Sequence, residues 1–147
     1  MAIHAHPFTT IGLAVLLSAC TAVTPPPTPA DLGQPGLQRV WMLTDVNGVT
    51  RERLVSLQAQ MDWTALPQAS ADMGCNRLNF AVQVQDNGQI SIGPLHATRK
   101  HCPGRMDAEQ RFSQRIGQMK HYRLAGHQLV LRNDAGEEMH FVAQDWD

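Results

Sequence analysis

The sequence predicts a small, mainly β domain of the α+β type, in which an antiparallel sheet curls or closes into a barrel and one helix packs on it. Two observations lead to this class. Several short segments alternate apolar with polar residues and follow one another through short turns, as antiparallel strands do. Only one segment, 107–119, has the apolar spacing of an amphipathic helix, whereas a parallel sheet would need a crossover helix between strands.

The first half of the domain is predicted to contain four strands. An Asn-Gly pair at 47–48 ends the first strand, because this dipeptide favours tight hairpin turns. Apolar residues at every second position indicate that the next two strands are half-buried. Asp-Asn-Gly at 86–88 then turns the chain and joins the last two strands into a hairpin. The predicted strands are 40–46, 55–61, 78–84 and 89–92.

The second half is predicted to contain the helix and three more strands. Asp107 with Gln110 three residues later resembles a helix N-cap box, which places the start of the helix. Its apolar face comprises Ala108, Phe112, Ile116 and Met119. Turn residues at 125–126 and 133–136 separate the strands that follow. These strands are 122–124, 128–131 and 139–142.

Residues 1–19 are predicted to be a signal peptide. They contain no Asp, Glu, Lys or Arg, and the apolar run 11–19 is well short of the ~20 residues that a membrane-spanning helix needs. The run ends in Leu-Ser-Ala-Cys at 17–20, which resembles a bacterial lipobox. This resemblance implies that a diacylglycerol is attached to the sulfur of Cys20 and that cleavage makes Cys20 the new N-terminus.

Residues 20–36 are predicted to form the lipidated start of the mature chain and a Pro/Thr-rich tether. Five prolines in this stretch disfavour both helix and sheet. Two or more acyl chains, palmitate included, would hold the protein on a membrane durably. By resemblance to Gram-negative sorting rules, Thr21 in place of Asp sends the lipoprotein to the outer membrane, facing the periplasm. The folded domain is then 37–147.

Cys75 and Cys102 remain once Cys20 is acylated. Paired cysteines in an exported domain usually form a disulfide, which stabilises a small fold. The alternative is a reactive thiol, but neither cysteine belongs to a Cys-x-x-Cys pair. We therefore expect a structural disulfide between Cys75 and Cys102.

Several blocks of the sequence resemble the META domain, the HslJ-like family of bacterial heat-shock proteins. The blocks comprise Trp41, Leu43 and 46–48; Gly-Cys-Asn-Arg at 74–77; Thr98, Cys102, Glu109 and Phe112; Tyr122, Leu124, Gly126, Leu129 and Leu131; and Phe141. The resemblance covers nearly all of 37–144. It implies a small, barrel-like β domain with a helix, often exported and lipid-anchored, that takes part in envelope stress responses and drug tolerance, with no established enzymatic activity.

Composition and motifs exclude several classes of function. A net charge of −1 does not suit a general nucleic-acid binder, and a mean hydropathy of −0.26 does not suit a polytopic membrane protein. The chain has no Gly-x-Ser-x-Gly elbow and no phosphate- or dinucleotide-binding glycine loop. Its histidines lack the spacing of known metal sites. We therefore predict a protein that is not an enzyme and needs no cofactor or metal.

Two groups of residues are candidates for binding. Asn76 and Arg77 could form a ligand site, although a structural turn beside the disulfide is the favoured interpretation. Segment 96–123 carries a charge of +5, whereas 133–147 carries −5. Candidate contacts in the basic segment are Arg99, Lys100, Arg111 and Arg115.

This charge asymmetry predicts a binding or scaffolding module that contacts an anionic envelope component or an envelope protein. The alternative interpretation of the basic segment is a solvated helix face, partly neutralised by the acidic tail. A second hypothesis for the whole protein is a periplasmic carrier of a small ligand or metal on the curled sheet.

Overall fold

The computed structural model describes residues 36–145. The predicted signal peptide, the acylation site Cys20 and the tether up to residue 35 lie outside the described residues, as do residues 146 and 147. No helix in the described part of the chain is both long enough and apolar enough to cross a membrane.

The described residues form nine strands and two helices, joined by turns and loops. In chain order they are β1 (Val40–Val46), α1 (Arg51–Ser56), β2 (Gln60–Ala65), β3 (Gln68–Asp72), β4 (Arg77–Val84), β5 (Ile90–Ile92), β6 (His96–Ala97), α2 (Asp107–Ile116), β7 (His121–Ala125), β8 (Gln128–Arg132) and β9 (Glu138–Ala143).

The strands form one antiparallel sheet that closes almost completely into a barrel. Its order is β5-β4-β3-β2-β1-β9-β8-β7, and the short β6 also pairs with β4. The two ends of this order meet where the amide of Ile90 donates to the carbonyl of Lys120 (2.9 Å) and the amide of Tyr122 donates to the carbonyl of Gly88 (2.8 Å). The predicted curled or closed antiparallel sheet is therefore confirmed.

The prediction of a strand at 55–61 is wrong, because the chain forms the short helix α1 before β2 begins at Gln60. The Thr50 hydroxyl accepts a hydrogen bond from the amide of Arg53 (3.3 Å) and caps the helix. Leu54 and Leu57, three residues apart, face the core, whereas Val55 is 65% exposed. The alternating pattern predicted that Val55 is buried. Because the chain is helical here, the helical spacing of the two leucines decides which side chains are buried.

The turn at 47–48 leads into α1, so it does not make a hairpin as the Asn-Gly pair predicted. Strand β3 was not predicted at all. Its sequence, Gln-Ala-Ser-Ala-Asp, has low β propensity. Pairing with β2 on one side and β4 on the other forms this strand and turns Ala69 and Ala71 toward the core.

The other predicted strands and the main helix are confirmed, with two corrections at the ends of the helix. Helix α2 begins at Asp107 as expected but ends at Ile116, three residues before the predicted end. Asp107 is not the N-cap residue. Met106 occupies that position, and its side chain makes no capping hydrogen bond. The Asp107 carboxylate instead pairs with Arg53 of α1.

Large side chains fill the interior of the barrel. Trp41, Trp63 and Phe112 are fully buried, and Phe141 is 2% exposed. The ring of Phe112, from α2, lies 6.3 Å from that of Phe80 in β4, so the helix packs directly on the sheet. The core therefore consists of one barrel interior with α2 packed on it.

Candidate functional site

The disulfide predicted between Cys75 and Cys102 is present, with their Cα atoms 5.9 Å apart. It joins the turn before β4 to the segment 98–106, which connects β6 with α2. We call this segment the basic loop, because it carries Arg99, Lys100 and Arg105. The disulfide ties the middle of the loop to the barrel.

The side chain of Asn76 makes five hydrogen bonds beside the disulfide, of which the longest runs from its Nδ2 to the sulfur of Cys75 (3.6 Å). Its Oδ1 accepts from the hydroxyl of Thr98 (2.8 Å) and from the amide of Lys100 (2.7 Å). Its Nδ2 donates to the carbonyl of Lys100 (3.1 Å) and to Oε1 of Glu109 (2.9 Å). Asn76 is only 2% exposed, so this polar network is almost entirely internal.

Glu109 completes the network from α2. It is 8% exposed, and its Oε2 accepts a hydrogen bond from the backbone amide of Asn76 (2.8 Å). A buried carboxylate is costly unless it is hydrogen-bonded, and both of its oxygens are used here. Asn76 thus connects the turn, the basic loop and α2, which supports the structural interpretation of this residue over a ligand site.

Arg53 of α1 fixes the far end of the basic loop. Its guanidinium donates to both carboxylate oxygens of Asp107, at 2.9 and 3.0 Å, and to the carbonyl of Gly104. The hydrogen bonds from Arg53 lower the pKa of Asp107 below its ordinary value. The loop is therefore held at Lys100, Cys102 and Gly104.

Four side chains on the basic loop and α2 are exposed cations: Arg99, Lys100, Arg105 and Arg111. We call these four residues the basic surface. None of them makes an ion pair with any described residue. Arg111 lies on α2 with its guanidinium over the turn at Gly48. The two acids in this part of the chain do not offset the cations, because Asp107 is paired with Arg53 and Glu109 is buried.

Two predicted candidates lie outside the basic surface. Arg115 forms an ion pair with Glu137 of the β8–β9 turn, and this contact is the main cause of the lowered pKa of Glu137. Glu137, from the acidic segment 133–147, therefore neutralises part of the charge on the exposed face of α2. This agrees with the alternative interpretation of the basic segment as a solvated helix face that the acidic tail partly neutralises. Arg77 lies on β4 and donates to the hydroxyl of Ser70 (2.9 Å).

Sequence reasoning missed the roles of Arg53 and Glu109. A signal for Glu109 was present, since it lies three residues before Phe112 and so shares the apolar side of an amphipathic helix. A charged residue at such a position usually has a buried partner. Arg53 offered no comparable signal, because its partners are distant in the sequence.

Among residues 36–145, no group of three or more His, Cys, Asp or Glu side chains could hold a metal ion.

The fold and the site together define a class: a small antiparallel barrel with one main helix packed on it and a basic loop held by a disulfide. The sequence profile of the META domain matches residues 34–146. This chain therefore belongs to the META domain family, as the resemblance of its motifs predicted.

Solved structures share the fold. A protein from Burkholderia xenovorans, determined by NMR, is 25% identical, with a TM-score of 0.59 over 85% of this chain and 94% of the other. A DUF4847 family protein from Bacteroides vulgatus, a crystal structure, is 10% identical, with a TM-score of 0.53 over 77% of this chain and 97% of the other. No curated protein matches the chain.

Proposed function

We propose that this protein is a non-enzymatic binding module, tethered to the outer membrane through acylated Cys20 and facing the periplasm. Its basic surface contacts an anionic component of the envelope, and through that contact it helps to maintain the envelope under stress. The tether rests on the lipobox-like sequence, and the role under stress rests on the family resemblance.

One observation carries the binding role: four exposed cations, none of which forms an ion pair within residues 36–145, lie on a loop and a helix that a disulfide and hydrogen bonds hold in place. Ordering flexible side chains and loops on binding costs free energy. A surface that is ordered before binding avoids part of this cost, so more of the electrostatic attraction contributes to the net free energy of binding. The disulfide, the Asn76 network and Arg53 supply this order before any partner arrives. An extended anionic surface is the partner whose chemistry fits such a patch.

The carrier hypothesis has less support. A carrier that encloses its ligand inside the barrel needs an interior cavity, whereas large side chains fill this barrel. Metal carriage lacks a cluster of ligands within the described residues.

Charge reversal tests the binding role. A chain with Cys20→Ala, which cannot be acylated, should sediment with vesicles that contain phosphatidylglycerol or with isolated peptidoglycan sacculi. Each cation near an anionic membrane contributes about 1 kcal/mol, so Arg105→Glu with Arg111→Glu should weaken vesicle binding by roughly 30-fold or more. High salt should weaken it as well.

The matched control is Arg51→Glu with Lys120→Glu, which changes the net charge equally at two exposed positions outside the basic surface. We expect this control to retain most of the binding. Equal losses in both double variants, or no sedimentation with either probe, would contradict the proposed role.

The tether is tested separately with otherwise unaltered protein. Cys20→Ala removes the only sulfur available at the lipobox-like site and should move the protein from the membrane to the soluble fraction. Cys75→Ser with Cys102→Ser is the control, since it removes cysteines without touching that site. Unaltered membrane fractionation of the Cys20→Ala chain would show that acylation does not hold the protein there.

A further inference from the structure

The outer face of the sheet carries a groove of about 200 Å³ over β7, β8 and β9. It lies on different elements from the basic surface and has no part in the function proposed above. The groove is lined by His121, Tyr122, Arg123, Val130, Arg132 and Glu138.

Strand register places an apolar floor between two arginines. Val130 is directly opposite Arg123 of β7, and Arg132 lies two residues further along β8 on the same face. Leu129 and Leu131 belong to the core, so Val130 points outward, yet it is only 6% exposed. The longer side chains around it therefore shield the valine and form the walls of the groove.

The acids near the groove contact histidines and form no ion pair with these arginines within residues 36–145. Glu138 is the cross-strand partner of Arg132, but its carboxylate lies 3.0 Å from Nε2 of His140. Asp134 similarly contacts His121, at 3.2 Å. Neither Arg123 nor Arg132 makes an ion pair within residues 36–145.

Arg123 and Arg132 are diagonal neighbours on one face of adjacent strands, a spacing that long side chains can bridge, so an anion placed between them could contact both guanidinium groups. Guanidinium donors match the geometry of carboxylate and phosphate oxygens. The volume is below the ~300 Å³ at which pockets for drug-sized ligands begin, so only a small molecule fits.

From these observations we infer that the groove is a binding site for a small organic anion. Its carboxylate or phosphate group lies between Arg123 and Arg132, and a short apolar part lies over Val130.

Titration of the full chain in an uncharged detergent, followed by amide NMR, tests this site. Phenyl phosphate is the first probe, and benzoate tests a carboxylate on a similar ring. Both should shift the amide signals of 121–123 and 130–132. Inorganic phosphate lacks the apolar part and benzyl alcohol lacks the charge, so each should bind at least about tenfold more weakly than phenyl phosphate.

Arg123→Gln and Arg132→Gln should each weaken binding of phenyl phosphate about tenfold, because each removes one charged partner of the anion. Arg77→Gln is the matched control: an arginine on the outer face of β4, outside the groove, whose loss should change binding less than twofold. The amide spectrum of each variant reports its folding in the same experiment.

Several results would overturn the inference. An effect of Arg77→Gln equal to that of the groove variants would indicate general charge attraction, as would shifts centred on the basic loop. Equal binding of benzyl alcohol would show that the arginines do not take part. No binding of either ring-bearing anion at roughly 10 mM would reject the site without contradicting the role proposed for the basic surface, whose partner is an extended anionic surface.

Discussion

Asn76→Ala tests whether the buried network stabilises the domain. The substitution removes five side-chain hydrogen bonds: two to Lys100 and one each to Thr98, Glu109 and the sulfur of Cys75. An average intramolecular hydrogen bond contributes about 1 kcal/mol, and a buried charged group that loses a partner costs more. Water can reach Lys100 and Thr98, which are exposed, but reaches Glu109 poorly. We therefore expect the free energy of unfolding to fall by roughly 3–5 kcal/mol.

Urea denaturation followed by tryptophan fluorescence, with the disulfide kept oxidised, measures this change. For a domain of this size, about 4 °C is lost per kcal/mol, so the melting temperature should also fall by roughly 15 °C. Asn79→Ala is the control: the same substitution on the exposed side of β4, expected to cost less than about 0.5 kcal/mol. A loss below about 1 kcal/mol for Asn76→Ala would show that the network is not a major source of stability.

Two further predictions concern backbone geometry and pH. Gly74→Ala should cost about 3 kcal/mol or more, because Gly74 has φ +99° and a Cβ there would lie 2.7 Å from Cδ2 of Leu57. Gly126→Ala, at φ +59° with open space around it, should cost only about 1 kcal/mol, and equal losses of urea stability would refute the clash. Arg53 holds the pKa of Asp107 below its ordinary value, so the ion pair stabilises the fold at neutral pH, and this contribution is lost as the pH falls through that lowered pKa. Arg53→Gln should flatten the decline of the urea midpoint between about pH 5 and pH 2, and an unchanged slope would refute the coupling.

Much of the fold could be predicted because its signals are local. Alternating side chains in β4 and β8 and the apolar spacing of α2 each describe one face of one element, so a few consecutive residues are sufficient. The hairpin turn at 86–88 is equally local. The disulfide could be predicted because only two cysteines remain after Cys20 is assigned.

Other features depend on partners that are distant in the sequence. Strand β3 forms because strands on both sides supply its hydrogen bonds, whatever the weak preference of its own residues. Among the predicted binding residues, the contrast between Arg111 and Arg115 is of the same kind. Both are arginines four residues apart on α2, yet of the two only Arg115 contacts a carboxylate of a described residue, that of Glu137.

The sequence by itself therefore determined the membership of the family, the antiparallel barrel, the main helix and the pairing of Cys75 with Cys102. Tertiary structure alone decided that Asn76 and Glu109 are buried together, and which cations form no ion pair with another residue of 36–145. The physical reason is that the energy of a charged or polar side chain depends on burial and on the groups opposite it. Those are set by contacts between residues that are distant in the sequence, such as Asn76 and Glu109, which are 33 positions apart.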